Sequence, residues 1–184
     1  TEPVSAFVFK TIADPYVGRL SIFKVCSGVL KKDSMIKNVN KNIAEKIGHL
    51  YILRGKEQID VDELRAGDIG AIAKLQNTST CDTLASADRP VQLPPIEYPS
   101  ALMSMAIKPK TKGDEDKLAG AIAKILEEDK TMSFEVNKET KQSVISGTGD
   151  TQIDVFVNKL KNKYKIEVEL SEPIIPYREK ISSK

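Results

Sequence analysis

The sequence predicts two domains: a small all-β barrel, then an α+β domain whose elements run βαββαβ. Three observations carry that expectation. Four of the nine prolines fall between Arg89 and Pro99, where missing N–H donors and fixed φ angles favour an extended connector. Ahead of that stretch, short apolar runs are interrupted at Asp14-Pro15, Ser27-Gly28, Arg54-Gly55 and Ala66-Gly67-Asp68, the turn spacing of closely connected strands. Beyond it, the apolar period switches between two residues and about 3.6, as a mixture of strands and helices requires.

The expected boundaries are 1–90 for the barrel, 91–99 for the connector, 100–172 for the α+β domain and 173–184 for a final crossing segment. In the barrel, strands are expected at Ala6–Ile12, Leu20–Val25, Ile47–Leu53 and Ile69–Leu75. Several carry apolar residues on both faces, as closure of a small barrel or burial beneath a neighbour demands. In the second domain, Met103, Met105 and Ile107 alternate with smaller residues to give a strand. Leu118, Ala121, Ile122, Ile125 and Leu126 then recur at helical spacing. Thr111 and Asp114 have the separation of a capping box, and Asp114, Glu115 and Asp116 put negative charge where the helix dipole favours it. Phe134 and Val136 mark one strand and Gln142–Ser146 the next, joined by a polar hairpin over Asn137–Lys141. Ile153, Phe156, Val157, Leu160 and Tyr164 share one face of a second helix, and Ile166, Val168 and Leu170 alternate in a last strand. This order is the ferredoxin-like split unit.

Composition narrows the function classes. With 184 residues, 40% of them hydrophobic and 29% charged, both halves have the material for a core. A net charge of +2 is far from that of a strongly basic nucleic-acid binder. No apolar run approaches the roughly 20 residues of a membrane helix, and Thr1-Glu2-Pro3-Val4 lacks the regions of a signal peptide, so no membrane partner and a cytoplasmic location are expected. Cys26, Cys81 and the lone His49 cannot assemble a disulfide framework or a four-ligand zinc site, so no metal is expected. His49 reads as a strand residue facing the core. Phe7, Phe9, Phe23, Phe134 and Phe156 read as core, not as base-stacking platforms.

Catalytic motifs fail one by one. Gly55-Lys56 has Leu50 where a phosphate-binding loop needs its first glycine. Asn40-Lys41-Asn42 is followed by Ile43, not by the aspartate of a guanine-specificity motif. Gly147-Thr148-Gly149 has Gln152 at the third glycine position of GxGxxG, and Ser146 has Val144 where a nucleophile elbow needs glycine. No catalytic residue and no cofactor site is expected in this chain. Glu127 with Glu128, and Asp60 with Asp62, read as solvated surface; a small-molecule enzyme would need them in a pocket. Gly147-Thr148-Gly149-Asp150 lies ahead of the second helix, where free N–H groups can hold an anion. The same residues make a tight turn capped by Asp150, whose carboxylate repels phosphate, so Gly147, Gly149 and Asp150 read as a turn or protein interface. Lys159, Lys161, Lys163 and Lys165 suit the dipole at the end of that helix and spread around it without forming a stripe for RNA.

The α+β half holds, in order, Ile107-Lys108-Pro109-Lys110, Asp116-Lys117-Leu118-Ala119-Gly120-Ala121, Glu127-Glu128-Asp129, Gly147-Thr148-Gly149-Asp150 and Pro176-Tyr177-Arg178-Glu179. The barrel half holds Asp14-Pro15-Tyr16-Val17-Gly18-Arg19-Leu20, Val25-Cys26-Ser27-Gly28-Val29-Leu30, Ala66-Gly67-Asp68-Ile69 and Asp82-Thr83-Leu84. This series resembles the second and third domains of elongation factor G, the GTP-driven translocase of the ribosome. The resemblance implies a translation-factor barrel and a mobile ferredoxin-like relay from the centre of a translational GTPase. Its implied partners are the ribosome, through small-subunit rRNA and ribosomal protein, and the GTPase and tip domains of the same polypeptide. GTP and magnesium are implied for the parent protein only. Gly18 and Arg19 become candidate barrel contacts. Asp129, Thr131, Gln152 and Lys159 match positions that face the GTPase switch region in the family, where fusidic acid binds. The family has histidine at the position of Gln152, arginine at that of Lys159 and proline at that of Lys130. Glutamine does not titrate, and lysine lacks the bidentate fork of arginine. Two other readings accompany these departures: a divergent paralogue acting in ribosomal protection or recycling, and a stand-alone RNA-binding protein.

Overall fold

A computed structural model describes residues 2–14, 18–177 and 179, with Asp14 described by its backbone alone. Of the motifs above, Pro15-Tyr16-Val17 and Arg178 lie outside the described residues, as do Lys180 and 181–184 of the final segment. The chain forms two compact units, Thr1–Glu97 and Tyr98–Lys184.

The first unit is all β. Its strands are β1 (Ser5–Asp14), β2 (Gly18–Ser27), β3 (Val29–Lys31), β4 (Met35–Asn38), β5 (Ile43–Lys46), β6 (Leu50–Arg54), β7 (Glu57–Val61), β8 (Glu63–Arg65), β9 (Ile69–Ala73) and β10 (Thr83–Ala85). Eight of them form one antiparallel sheet in the order β5-β4-β10-β1-β2-β9-β6-β7, and β3 pairs with β8 in a separate ribbon. One core holds Val8, Phe23, Leu30, Ile36, Ile47, Leu50, Leu64, Ile72 and Leu84. Strands from across the sheet and from the ribbon thus point at the same interior, as in a barrel. Backbone bonds fasten the ribbon to the sheet: Gly67 N–H donates to Val25 O at 2.8 Å, and Val25 N–H to Asp68 O at 2.9 Å. Where β2 reads Leu20-Ser21-Ile22-Phe23, all four residues are buried, because Leu20 and Ile22 join a second apolar cluster with Ala71.

One end of this unit is polar inside. Glu45 accepts from Gln76 N–H, Asn77 N–H and the Thr78 hydroxyl, and Asp82 accepts from the Asn38 amide at 2.8 Å and Ser79 N–H at 2.8 Å. Buried carboxylates are tolerable because several donors converge on each.

Two expectations about this unit need correction. The strand foreseen over Ile47–Leu53 begins three residues later, as β6, and Ile47-Gly48-His49 form the connection from β5. Ile47 stays in the core. His49 is instead exposed, with its Nδ1 3.3 Å from Asp60 Oδ1 and its ring stacked on Tyr51. Of the five phenylalanines, Phe23 and Phe156 are fully buried, whereas Phe7, Phe9 and Phe134 are half-buried.

No helix or strand occurs between Ala85 and Met103. The second unit then runs β11 (Met103–Pro109), α1 (Glu115–Glu128), β12 (Ser133–Val136), β13 (Ser143–Gly147), α2 (Asp150–Tyr164) and β14 (Val168–Ser171). Its sheet order is β12-β13-β11-β14, with every neighbour antiparallel. Leu118, Ile122 and Ile125 of α1 meet Phe156 and Leu160 of α2 over Ile107 and Ile145 of the sheet. Among the described residues, no helix is long and apolar enough to cross a membrane.

Both expected helix caps fail. The Thr111–Asp114 capping box does not form: Asp114 makes no side-chain cap bond and pairs with Lys117 at 2.9 Å. Asp150 is the first helical residue of α2, not its cap, and its Oδ1 accepts from the adjacent Thr151 N–H at 2.7 Å.

Candidate interface site

Two connections of the second unit converge, the one leaving α1 and the one entering α2. Asp129 ends α1 in extended conformation, its N–H donating to Ile125 O at 3.0 Å. Its Oδ1 accepts from Thr131 N–H at 3.0 Å and from the Thr131 hydroxyl at 2.6 Å. This local ring is the turn that an aspartate two residues ahead of a threonine favours. It leaves the second carboxylate oxygen for another donor.

Gln152 occupies that oxygen from the first turn of α2. Its Nε2 donates to Asp129 Oδ2 at 3.0 Å and to Thr131 Oγ1 at 2.6 Å. Its Oε1 accepts from Thr148 N–H at 2.7 Å and from the Thr148 hydroxyl at 3.0 Å. Asp129 can only accept and a backbone N–H can only donate, so the partners themselves fix the amide orientation. Gln152 therefore ties the two connections together, the nitrogen of its amide bonded to one and the oxygen to the other.

Gly147 makes room for this arrangement. A Cβ at that position would stand 2.7 Å from Gln152 Oε1. Gly149 has no such role: its φ of 176° is extended backbone open to any residue, and a Cβ there would meet nothing.

Charge gathers beside the amide. Lys163 Nζ lies 3.0 Å from Glu128 Oε1 and Lys159 Nζ 3.7 Å from Glu128 Oε2. Burial pushes the Asp129 carboxyl up, but the Thr131 hydroxyl and N–H, the Gln152 amide and the Lys159 charge together hold it below the ordinary 3.8. Burial likewise lowers the Lys163 ammonium while Glu128 raises it, and the net shift is upward.

Asp129, Thr131 and Gln152 are thus bonded into one half-buried cluster, with Lys159 beside it. The clustered carboxylates are engaged by amide, hydroxyl and ammonium donors, which suits recognition better than bond-making. Among the described residues, no group of three His, Cys, Asp or Glu side chains could hold a metal ion. Lys159 and Lys163 converge on Glu128, and Lys161 lies 3.7 Å from Glu167, so these lysines hold elements together. Thr148, Glu128 and Gly147 complete the cluster; Glu128, expected on solvated surface, is instead largely covered and paired with both lysines, and Thr148 was expected only as part of the turn. The signal for Thr148 is its place four residues ahead of a helix-initial glutamine.

The barrel candidates lie in the other unit. Gly18 opens β2 at φ +79°, a left-handed conformation that favours glycine. Arg19 donates to Gln76 O and Ser79 Oγ, both at 3.4 Å, and Lys41 Nζ reaches the same Ser79 Oγ at 2.8 Å.

Comparison with known proteins matches residues 3–87 to the model for elongation factor G domain 2 and residues 98–172 to that for elongation factor G domain III. The chain belongs to the elongation factor G family. It carries that family's second and third domains in order. A crystal structure of a protein from Thermus thermophilus superposes with a TM-score of 0.86 at 29% identity, covering 96% of this chain. This chain spans 27% of the length of that protein.

Proposed function

We propose that these two domains work as a noncatalytic docking and relay segment of a GTP-hydrolysing translation factor. In this reading the barrel rests on the ribosome, with Gly18 and Arg19 at its contact end. The cluster of Asp129, Thr131, Gln152 and Lys159 faces the nucleotide switch of a GTPase domain. A change of nucleotide state alters packing against that cluster, and the second unit passes the bias on to a tip domain. GTP and magnesium would be bound by the GTPase domain, and the ribosome would be the partner.

The observation that carries this reading is the Gln152 amide holding Asp129 and Thr131 across two connections of the family's third domain. A rigid cluster of this kind responds to a partner as a unit. The test uses the protein encoded by the complete reading frame. It should cosediment with ribosomes in the presence of a non-hydrolysable GTP analogue and much less with GDP. Gln152→Ala should slow ribosome-stimulated GTP turnover about tenfold without changing nucleotide affinity in solution, a loss of about 1.4 kcal/mol in transition-state stabilisation. Ribosome binding that ignores the nucleotide would refute the proposal.

A further inference from the structure

Two buried apolar residues of the second unit are not explained by its helices. Ala106 is 5% and Val144 is 6% exposed, yet neither joins the cluster packed beneath α1 and α2, which takes Ile107 and Ile145 from the same strands. Side chains alternate along a strand, so Ala106 and Val144 point to the face without helices.

The chain after β14 has the path to cover them. Ser171 pairs with Ala106, Ala106 with Val144, and Val144 with Glu135, making one row across all four strands. The segment leaves the sheet at Ser171, at one end of this row. At the other end, Pro176 borders a shallow cleft with Glu135, Val136 and Asn137. Three strand spacings are about 14 Å, and the five residues from Ser171 to Pro176 reach about 17 Å when extended. Midway, Ile174 N–H donates to Gln142 Oε1 at 2.8 Å. Ile174 and Ile175 are 60% and 67% exposed, so the segment lies on the surface.

We propose that residues 172–176 are a releasable latch over the helix-free face of this sheet, fastened by Gln142. Closed, the latch shields Ala106 and Val144 and denies that face to any ligand. A pull on the chain beyond Pro176 opens it and exposes the row without unfolding the sheet.

The test introduces Ala106→Cys and follows thiol labelling at that position by peptide-resolved mass spectrometry, which separates it from Cys26 and Cys81. Loss of one side-chain to backbone hydrogen bond should make labelling about fivefold faster in Gln142→Ala. Gln142→Glu, which keeps an acceptor, should restore the slow rate. Equal labelling rates with and without Gln142→Ala would overturn the proposal. Hydrogen exchange on the unsubstituted chain gives an independent check. The Ile174 amide should exchange by local opening that is insensitive to low urea, while Ile145 follows unfolding of the sheet. The same urea dependence at both amides would also overturn it.

Discussion

At the scale of single residues, Gln152 explains its neighbours. Removing its amide strands one oxygen of Asp129 and both donors of Thr148, so Gln152→Ala should cost about 1–2 kcal/mol in urea denaturation. Gly147→Ala drives a methyl against the same amide oxygen and should cost about 1 kcal/mol. If crowding of Gln152 is the reason, Gly147→Ala should be nearly harmless once Gln152 is already alanine, and a double-mutant cycle measures that coupling. Asp129 gives a pH signature. Its carboxyl titrates below the ordinary 3.8 in the folded protein, so the unfolded chain takes up a proton first as pH falls. The stability it contributes is complete above about pH 5 and is lost as pH drops below the ordinary value. Asp129→Asn should flatten that part of the stability profile, which acid titration of the unfolding midpoint would reveal.

At the scale of elements, packing outweighs surface charge. Phe156 and Leu160 are fully buried under α2, so Phe156→Ala should lose about 3–5 kcal/mol in chemical denaturation. The ion pairs linking α2 to α1 are weaker individually: Lys163→Gln alone should cost well under about 1 kcal/mol, because exposed pairs are screened. The elements of this unit were legible in sequence because each is long enough to show its period. Ile153, Phe156 and Leu160 give the helix away, and Met105 with Ile107 the strand. The caps misled because short polar residues near a helix start offer several competing bonds, and only the folded neighbours choose among them.

For the whole molecule, the 28 basic and 26 acidic residues nearly balance. Raising salt from about 0.05 M to about 0.5 M should shift the melting temperature by only a few degrees. A large shift would mean that the charged pairs carry more of the stability than their exposure suggests. Six of the ten barrel strands, β3, β4, β5, β7, β8 and β10, were hidden in the sequence. Strands β3, β4, β5, β8 and β10 span three or four residues each, too few to display alternation, and β10 is placed between β1 and β4 by pairing partners far along the chain. The candidate site divides in the same way. Asp129 and Thr131 form a local turn that spacing alone reveals, but Gln152 reaches them from 23 residues away, and only the packing of the two helices brings it there. The resemblance supplied that grouping before the geometry did.

The carboxyl end of α1 carries Glu127, Glu128 and Asp129 with no basic residue in its last turn, against the sense of its own dipole. Relief comes from Lys159 and Lys163, the latter 35 positions later. Each pair is weak by itself, so the last turn of α1 is held by its partner helix as a whole. Loosening α2 should release that turn, read as faster hydrogen exchange of the Asp129 amide.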